Sequence, residues 1–352
     1  RAADMARVTC VSVAYGPTPE IGRMLASLRR NTVNDGALRD VDVCVVTQPS
    51  REGRASLSQH SWVREIALDD NIGFGPANNL AVASCDSEFV AFLNPDLELT
   101  PGWLAPLVAA LDDPSVAVAA PVLLNADGLV DEAGAVVCDN AETYAMGSHT
   151  WPGGYDEVMF SHDVPYASAA CWVMRRVVFE SLGGFDPVYA PAYFEDPDLC
   201  FTAAVRGLVT RLVVDRPVVH HHSAASEFRL DIARRSQTAF KAKWADVLTS
   251  LPSVGAWGAD GAGGRDLACS SRTLFEVTDG VSESRVREVV AEAGALAAAN
   301  PRDRVTVSLT TRSRPWVIGL CRDWASRGLE IVESGVAARR PGWATDVRKV
   351  EL

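Results

Sequence analysis

An α/β fold, with a mostly parallel sheet sandwiched by helices and a small α/β appendage at the C-terminal end, follows from three features of the sequence. Short continuous apolar runs recur at 8–14, 41–46, 89–93, 116–124 and 212–219, the pattern of strands buried on both faces. Segments of helical period separate them, and strand, helix, strand at this spacing is a βαβ unit whose right-handed crossover makes the pair parallel. The run at 89–93 ends in Asn94-Pro95-Asp96, where Pro95 has no N–H to continue a ladder. The Asp96 carboxylate is thereby left at the carboxyl end of a central strand, where open α/β sheets bind ligands. A lone acid there is also a common turn residue or helix cap, so its meaning depends on what converges on it.

Taken in order, the strand at 8–14 closes at Tyr15-Gly16, with Thr18 as helix N-cap and Pro19 at the first helical position. Ile21, Met24, Leu25 and Leu28 fall on one face of that helix. The strand at 41–46 closes at Thr47-Gln48. Gly73 and Gly75 then permit tight turns or close approach of backbone to a ligand, and Asn78 and Asn79 supply amides that can bind hydroxyl or phosphate oxygens. This is not a dinucleotide fingerprint, because the third glycine is missing and no strand leads directly into it. After the Asp96 strand a helix is expected over 101–111 with Trp103, Leu104, Leu107, Val108 and Leu111 as its stripe, then the strand at 116–124. From 125 to 163 the periodicity fades into a long irregular insert, read as an acceptor-side loop or a plain surface excursion.

Two further stretches converge on Asp96. Asp186, Glu195, Asp196 and Asp198 lie among Tyr193, Phe194, Leu199, Cys200 and Phe201, not in a solvated charge run. A carboxylate in such surroundings can have a raised pKa and act as a general base; capping a helix from 198 is the bland alternative. The strand at 212–219 runs into His220-His221-His222, half of the chain's six histidines. This concentration makes a metal or phosphate role credible. His220 and His222 share one side by period-two alternation and His221 takes the other.

Composition excludes several classes. The 352 residues suffice for one large α/β domain and a small one. Lys and Arg total 33 against 45 acids, and the net charge of −12 disfavours a nucleic-acid partner or an anionic membrane surface. The cysteines at 10, 44, 85, 138, 171, 200, 269 and 321 form no CxxC pair and read as reduced, packed thiols of a cytoplasmic protein. No apolar segment reaches the roughly 18 residues of a membrane span, although peripheral membrane contact stays compatible. A first residue of Arg1, with no signal-peptide pattern after it, reads as a trimmed or excised chain.

The ordered motifs Asn71-x-Gly73-Phe74 with Asn79, Leu93-Asn94-Pro95-Asp96, Gly183-Gly184-Phe185-Asp186, Glu195-Asp196-x-Asp198-Leu199 and His220-x-His222-Ser223 resemble a family-2 glycosyltransferase of GT-A fold. Within that family the chain is most similar to the rhamnosyltransferase-like branch, over roughly residues 7 to 250. The resemblance implies inverting transfer of a sugar from a nucleotide-diphosphate donor, such as dTDP-rhamnose or a UDP-sugar, to a hydroxyl of a glycan, lipid-linked or small-molecule acceptor. It implies a divalent cation, Mg²⁺ or Mn²⁺, on Asp96 with His220 and His222. Asp196 would be the catalytic base with Glu195 beside it. The donor would lie against Ala14, Tyr15, Thr47, Gln48, Asn71, Gly73, Asn79, Asn94 and Asp96, and the acceptor against Trp172, Tyr193 and Asp198.

Three positions depart from the family pattern: Thr47-Gln48 replace Asp-Asn, Ser168-Ala169-Ala170 replaces Ser-Gly-Ala, and Thr202 replaces an Arg. They put donor identity in question more than reaction class. They also motivate the alternative of a catalytically degenerate module that binds nucleotide sugar or glycan. A nucleotidyltransferase ranks lower, because no Gly-rich basic loop follows the first strand.

Beyond a helix at 228–248, the Gly-rich composition of 250–264 reads as a linker dividing a catalytic domain, 1–249, from an accessory domain, 265–352. The latter is expected to be a βαβαβ unit: strands near 273–278, 305–309 and 329–333, a helix striped by Val286, Val289, Val290, Ala293, Leu296 and Ala297, and another over 316–324.

Overall fold

A computed structural model describes residues 7–32, 40–150, 159–222, 227–251, 253, 271–278, 281–300, 303–309, 324–325, 327–333 and 346–350. The first strand, β1 (Arg7–Tyr15), shows why the apolar runs are continuous: Val11 and Val13 enter one core while Val8, Cys10 and Ala14 enter another. A strand covered by helices on both faces needs apolar side chains at every position. Helix α1 (Ile21–Thr32) buries the expected Ile21, Met24, Leu25 and Leu28 on the second face. β2 (Asp40–Gln48) and β3 (Arg64–Ala67) extend the sheet in parallel from β1, and α2 (Phe74–Ala83) covers the first face.

β4 (Phe89–Leu93) lies on the other side of β1, also parallel, and is buried at every residue. The two-residue β5 (Leu97–Glu98) follows. Helix α3 (Leu104–Ala110) starts later than the expected 101, because Pro101 and Gly102 form a turn; Trp103 is still buried and donates from Nε1 to Thr32 Oγ1 at 2.9 Å. β6 (Val116–Leu124) then runs as expected.

The insert expected to be irregular is built from short strands. β7 (Val130–Glu132) pairs with the end of β6, β8 (Ala135–Val137) and β9 (Thr143–Ala145) form a hairpin, and β10 (His162–Val164) lies along β12 (Val209–His220). These three-residue strands cover a small core of Val122, Val130, Val136, Met146 and Val164. Between the insert and β12 come β11 (Cys171–Arg175), α4 (Arg176–Leu182) and α5 (Glu195–Ala204). α6 (Glu227–Lys243) and α7 (Ala245–Leu248) follow β12, and Phe240 of α6 closes the first-face core beside Phe201.

The sheet order is β10-β12-β6-β11-β4-β1-β2-β3, with β5 on β12 and β7 on β6. Two parallel blocks, β3-β2-β1-β4 and β6-β12, flank β11, which is antiparallel to both of its neighbours. The carboxyl ends of β1, β2, β4, β6 and β12 therefore all open on one edge, and that edge carries the site.

The C-terminal residues form a separate parallel sheet, ordered β15-β14-β13-β16. Its elements are β13 (Arg272–Val277), α8 (Glu283–Ala299), β14 (Arg304–Leu309), β15 (Leu329–Glu333) and β16 (Asp346–Val350). Helix α8 buries Val286, Val289, Val290, Ala293 and Ala297 against it. β16 was not anticipated, because only Val350 of its five residues is buried and no apolar run marks it. Most of the expected 316–324 helix and of the Gly-rich 250–264 stretch lies outside the described residues. Ser161 N, just before β10, donates to Ala325 O at 2.9 Å and ties the two sheets together.

Candidate active site

The antiparallel pairing of β5 with the end of β12, Val219 to Glu98 and His220 to Leu97, draws the Asp96 turn against the histidines. His220 Nε2 lies 3.3 Å from Asp96 Oδ1, and its Nδ1 lies 3.2 Å from Asp131 Oδ2. His222 Nε2 reaches the same Asp131 oxygen at 2.7 Å. A left-handed φ of +37° at His222 keeps its ring 4.0 Å from that of His220. His221 turns away to Glu98 at 3.1 Å. Burial pulls the His220 imidazole down, but the hydrogen bonds and charges of Asp131 and Asp96 outweigh it and raise the group to about 9. Burial likewise pushes Asp131 up, yet the two histidines together hold it below its ordinary value.

One donor atom each from Asp131, His220 and His222 lies within 4.8 Å of the others, with Asp96 adjoining. Two imidazoles and two carboxylates are a chemically suitable set for a divalent transition metal. Asp131 was missed in the sequence because it sits in an aperiodic insert; its only local signal is a three-residue strand bracketed by Gly128 and Gly134.

The second acidic corner is at the start of α5. Tyr193 and Phe194 have φ of 73° and 70°, left-handed values that bulky residues adopt only under constraint, and Phe194 packs on Phe240 with ring centroids 5.3 Å apart. Phe194 is itself the N-cap, with no side-chain cap bond, so neither Asp196 nor Asp198 caps this helix. Asp196 Oδ2 accepts from Ala169 N at 3.4 Å. Burial lifts the Asp196 carboxyl to about 6 against the opposing backbone hydrogen bonds. Glu195 is buried more deeply, and desolvation followed by the charge of Asp196 raises it well above the usual range. Its Oε2 has no hydrogen-bond partner among the described residues, as suits a neutral acid. Glu132, also missed in the sequence, accepts from Ser168 N at 2.6 Å, and burial pushes it up to about 7.

Several expected ligand contacts are corrected. Trp172 is fully buried and stacks on Phe185 with centroids 6.0 Å apart, so it faces no acceptor. Asp198 is enclosed by Tyr189 Oη at 2.9 Å, Lys243 Nζ at 2.8 Å and Trp244 Nε1 at 2.7 Å, which makes it a structural anion. The Ala14 methyl is buried in the core, and the Thr47 hydroxyl is spent on Glu65 Oε1 at 2.6 Å. Gln48 is buried and braces the next loop, accepting from Ile72 N at 2.8 Å and donating to Gly73 O at 3.4 Å. Gly73 has φ +95°, and a Cβ there would lie 2.8 Å from Pro191 Cα, so it serves a close backbone approach between two protein loops. Tyr15, Asn71 and Tyr193 remain exposed, and Asn94 is partly exposed beside Asp96.

Asn79 is corrected as well: its amide donates to Phe185 O at 2.7 Å and accepts from Phe185 N at 2.9 Å, clamping the Gly183-Gly184 turn. Asn79→Ala should therefore cost about 1–3 kcal/mol of stability, the penalty for orphaned backbone groups. Metal and donor affinity should not change. Chemical denaturation beside a metal titration checks this, and a stable variant with weakened donor binding would return Asn79 to the ligand face.

A GT-A glycosyltransferase domain is the class that this sheet order and its acidic edge define. Residues 9–183 match the family model described as Glycosyl transferase family 2, and the chain belongs to that family. It is 27% identical over 235 residues to the N-acetylglucosaminyl-diphospho-decaprenol L-rhamnosyltransferase of Mycobacterium tuberculosis, covering 60% of this chain and 75% of that protein. It is 30% identical over 196 residues to the O-antigen biosynthesis protein RfbC of Myxococcus xanthus, covering 52% of this chain but 15% of that protein. The chain thus spans 15% and 17% of two of the curated relatives it matches. The crystal structure of GalNAc-T7 with UDP, GalNAc and Mn²⁺ superposes with a TM-score of 0.55 at 14% identity, over 70% of this chain and 49% of that one, a likeness of fold.

Proposed function

We propose that this chain transfers a sugar, with inversion, from a nucleoside-diphosphate donor to a hydroxyl acceptor. The observation that carries the reading is the pairing of two unlike acidic corners on one sheet edge. Asp96 and Asp131 are engaged by imidazoles, whereas Asp196 lies apart from them on α5 with its carboxyl lifted to about 6. Leaving-group stabilisation and proton removal need different environments, and two acids held in different states supply them.

Asp96, Asp131, His220 and His222 would hold a divalent cation, which when bound neutralises charge on the leaving diphosphate. The two imidazoles favour Mn²⁺ over Mg²⁺, a stricter oxygen seeker. Asp196 Oδ would take the proton from the acceptor hydroxyl as it attacks the face of the anomeric carbon opposite the diphosphate. Exposed Tyr193, two residues before Glu195, would flank the acceptor, and exposed Tyr15 and Asn71 would flank the donor. The rhamnosyltransferase relative supports dTDP-rhamnose as the first donor to try, with UDP-sugars next.

We further take 1–249 as the catalytic unit and 265–352 as an accessory unit joined through the 250–264 linker, supported by their separate sheets and cores. Among the described residues no helix is long and apolar enough to cross a membrane. A cytoplasmic location is supported by the mostly buried thiols of Cys10, Cys44, Cys85, Cys171 and Cys200, which form no disulfide among the described residues.

The test is nucleoside-diphosphate release from a panel of dTDP- and UDP-sugars with Mn²⁺, with the product anomer assigned by NMR. Acceptor-dependent release with an inverted anomer is expected. Tight donor binding without release would overturn the reading in favour of a binding module.

A further inference from the structure

We infer that Glu132 is a positioning residue for the transfer, fixing the turn at 168–170 that joins the metal corner to Asp196. The inference rests on the reading above that Asp196 is the base. Adjacent residues of a strand point to opposite sides, and β7 uses both. Asp131 turns to His220 and His222, while Glu132 accepts from Ser168 N at 2.6 Å. The next amide, Ala169 N, goes to Asp196 Oδ2 at 3.4 Å. The next carbonyl, Ala170 O, accepts from Asn94 N at 2.8 Å, two residues before Asp96. Three consecutive residues thus divide their backbone groups among Glu132, the base and the metal loop. Ser168 Oγ closes the turn by accepting from Ala170 N at 3.2 Å.

The bonds in this chain are unequal, and that inequality gives Glu132 its weight. The Asp196 bond is long and the Glu132 bond short, so the turn takes its position from Glu132 and Asn94, and Asp196 is placed against it. Without the Glu132 acceptor, Ser168 N loses its partner and the Ala169 amide is free to drift from Asp196. A misplacement of about 1 Å in a reacting group costs on the order of 10²-fold in rate. Donor binding depends on the other corner and should be spared.

The experiment uses the full chain with Mn²⁺ and compares Glu132→Ala, Glu132→Gln and Glu132→Asp. Turnover and donor KM are measured beside amide hydrogen exchange at 168–170 without substrate. Glu132→Ala is expected to lower kcat by about 10²-fold, with donor KM within about threefold and faster exchange at Ser168 and Ala169. Glu132→Gln keeps an oxygen for the Ser168 amide, so it should recover most of the rate and the protection. Should Glu132→Ala not fold, Glu132→Asp carries the test: one methylene shorter, it should turn over more slowly than Glu132→Gln. Wild-type kcat in a folded Glu132→Ala or in Glu132→Asp, unchanged exchange, or a Gln variant no better than Ala would each overturn the proposal. If the wild-type chain transfers no sugar, the functional reading fails instead, and the exchange data still decide whether Glu132 holds the turn.

Discussion

Asp196→Asn is expected to lower kcat by roughly 10²–10⁴ while the protein stays folded and binds donor normally, the loss typical of a missing general base. Asparagine keeps the size of the side chain and an oxygen for Ala169 N, but it cannot take a proton. The pH dependence has a definite sign. Burial raises the Asp196 carboxyl from 3.8 to about 6, so the folded protein holds this proton more tightly than the unfolded chain. The base form appears only as pH rises through about 6, and wild-type kcat should rise with it; the Asn variant should lack that limb. Stability runs the other way: the cost of ionising a buried carboxyl is absent at low pH and develops between 3.8 and about 6. At pH 7 and above, Asp196→Asn should therefore be at least as stable as wild type. A helix-cap role would instead cost about 1 kcal/mol with normal turnover, and Phe194 already occupies the cap. Thermal melts, donor titration and single-turnover rates on one preparation separate the cases. A wild-type rate, or a product that keeps the donor's anomeric configuration, would remove Asp196 from the mechanism.

The parts of this protein legible in the sequence are those set by local pattern. Strands buried on both faces must be apolar throughout, so β1, β2, β4 and β6 announce themselves, and a strand followed by Pro95 puts Asp96 at the edge. His220 is legible for the same reason, as the last residue of β12. The misread residues are those whose direction is decided by a distant partner. Asn79 looks like a ligand amide, but its partner is the backbone of Phe185, 106 residues away. Asp198 resembles its neighbours Glu195 and Asp196, but it is surrounded by Tyr189, Lys243 and Trp244. Trp172 sits near the Ser168 turn in sequence, yet β11 is covered on both faces, so its side chains enter a core on either side. Asp131 and Glu132 show the opposite failure: a three-residue strand is too short to carry a period, and only its pairing with the end of β6 brings it to the site.

That pairing sets the remaining large expectation, which concerns the metal corner. Asp96→Ala should nearly abolish transfer, whereas Asp131→Ala should lower it by weakening metal binding. Asp96 follows directly on the central strand, on the side where the donor diphosphate is expected. Losing it removes charge stabilisation of several kcal/mol in the transition state, a fall of at least about 10³ in kcat/KM, since each 1.36 kcal/mol is tenfold. One oxygen of Asp131 touches both His220 at 3.2 Å and His222 at 2.7 Å, so it fixes the orientation of two imidazoles at once. Asp131 would hold the cation as well as orient these rings, so Asp131→Ala should weaken Mn²⁺ binding by at least the roughly 10–100-fold typical of losing an orienting carboxylate alone, read in a Mn²⁺ titration. Neither substitution should unfold the protein, because both side chains lie at the sheet edge and not in its cores. His221→Ala is the control: its ring is turned to Glu98, so metal affinity should stay at the wild-type value. His222 is 59% exposed, and its removal should weaken binding less than removal of the buried His220. Undiminished transfer in EDTA, or wild-type Mn²⁺ affinity in both His220→Ala and Asp131→Ala, would show that these residues form a hydrogen-bonded edge and not a metal centre.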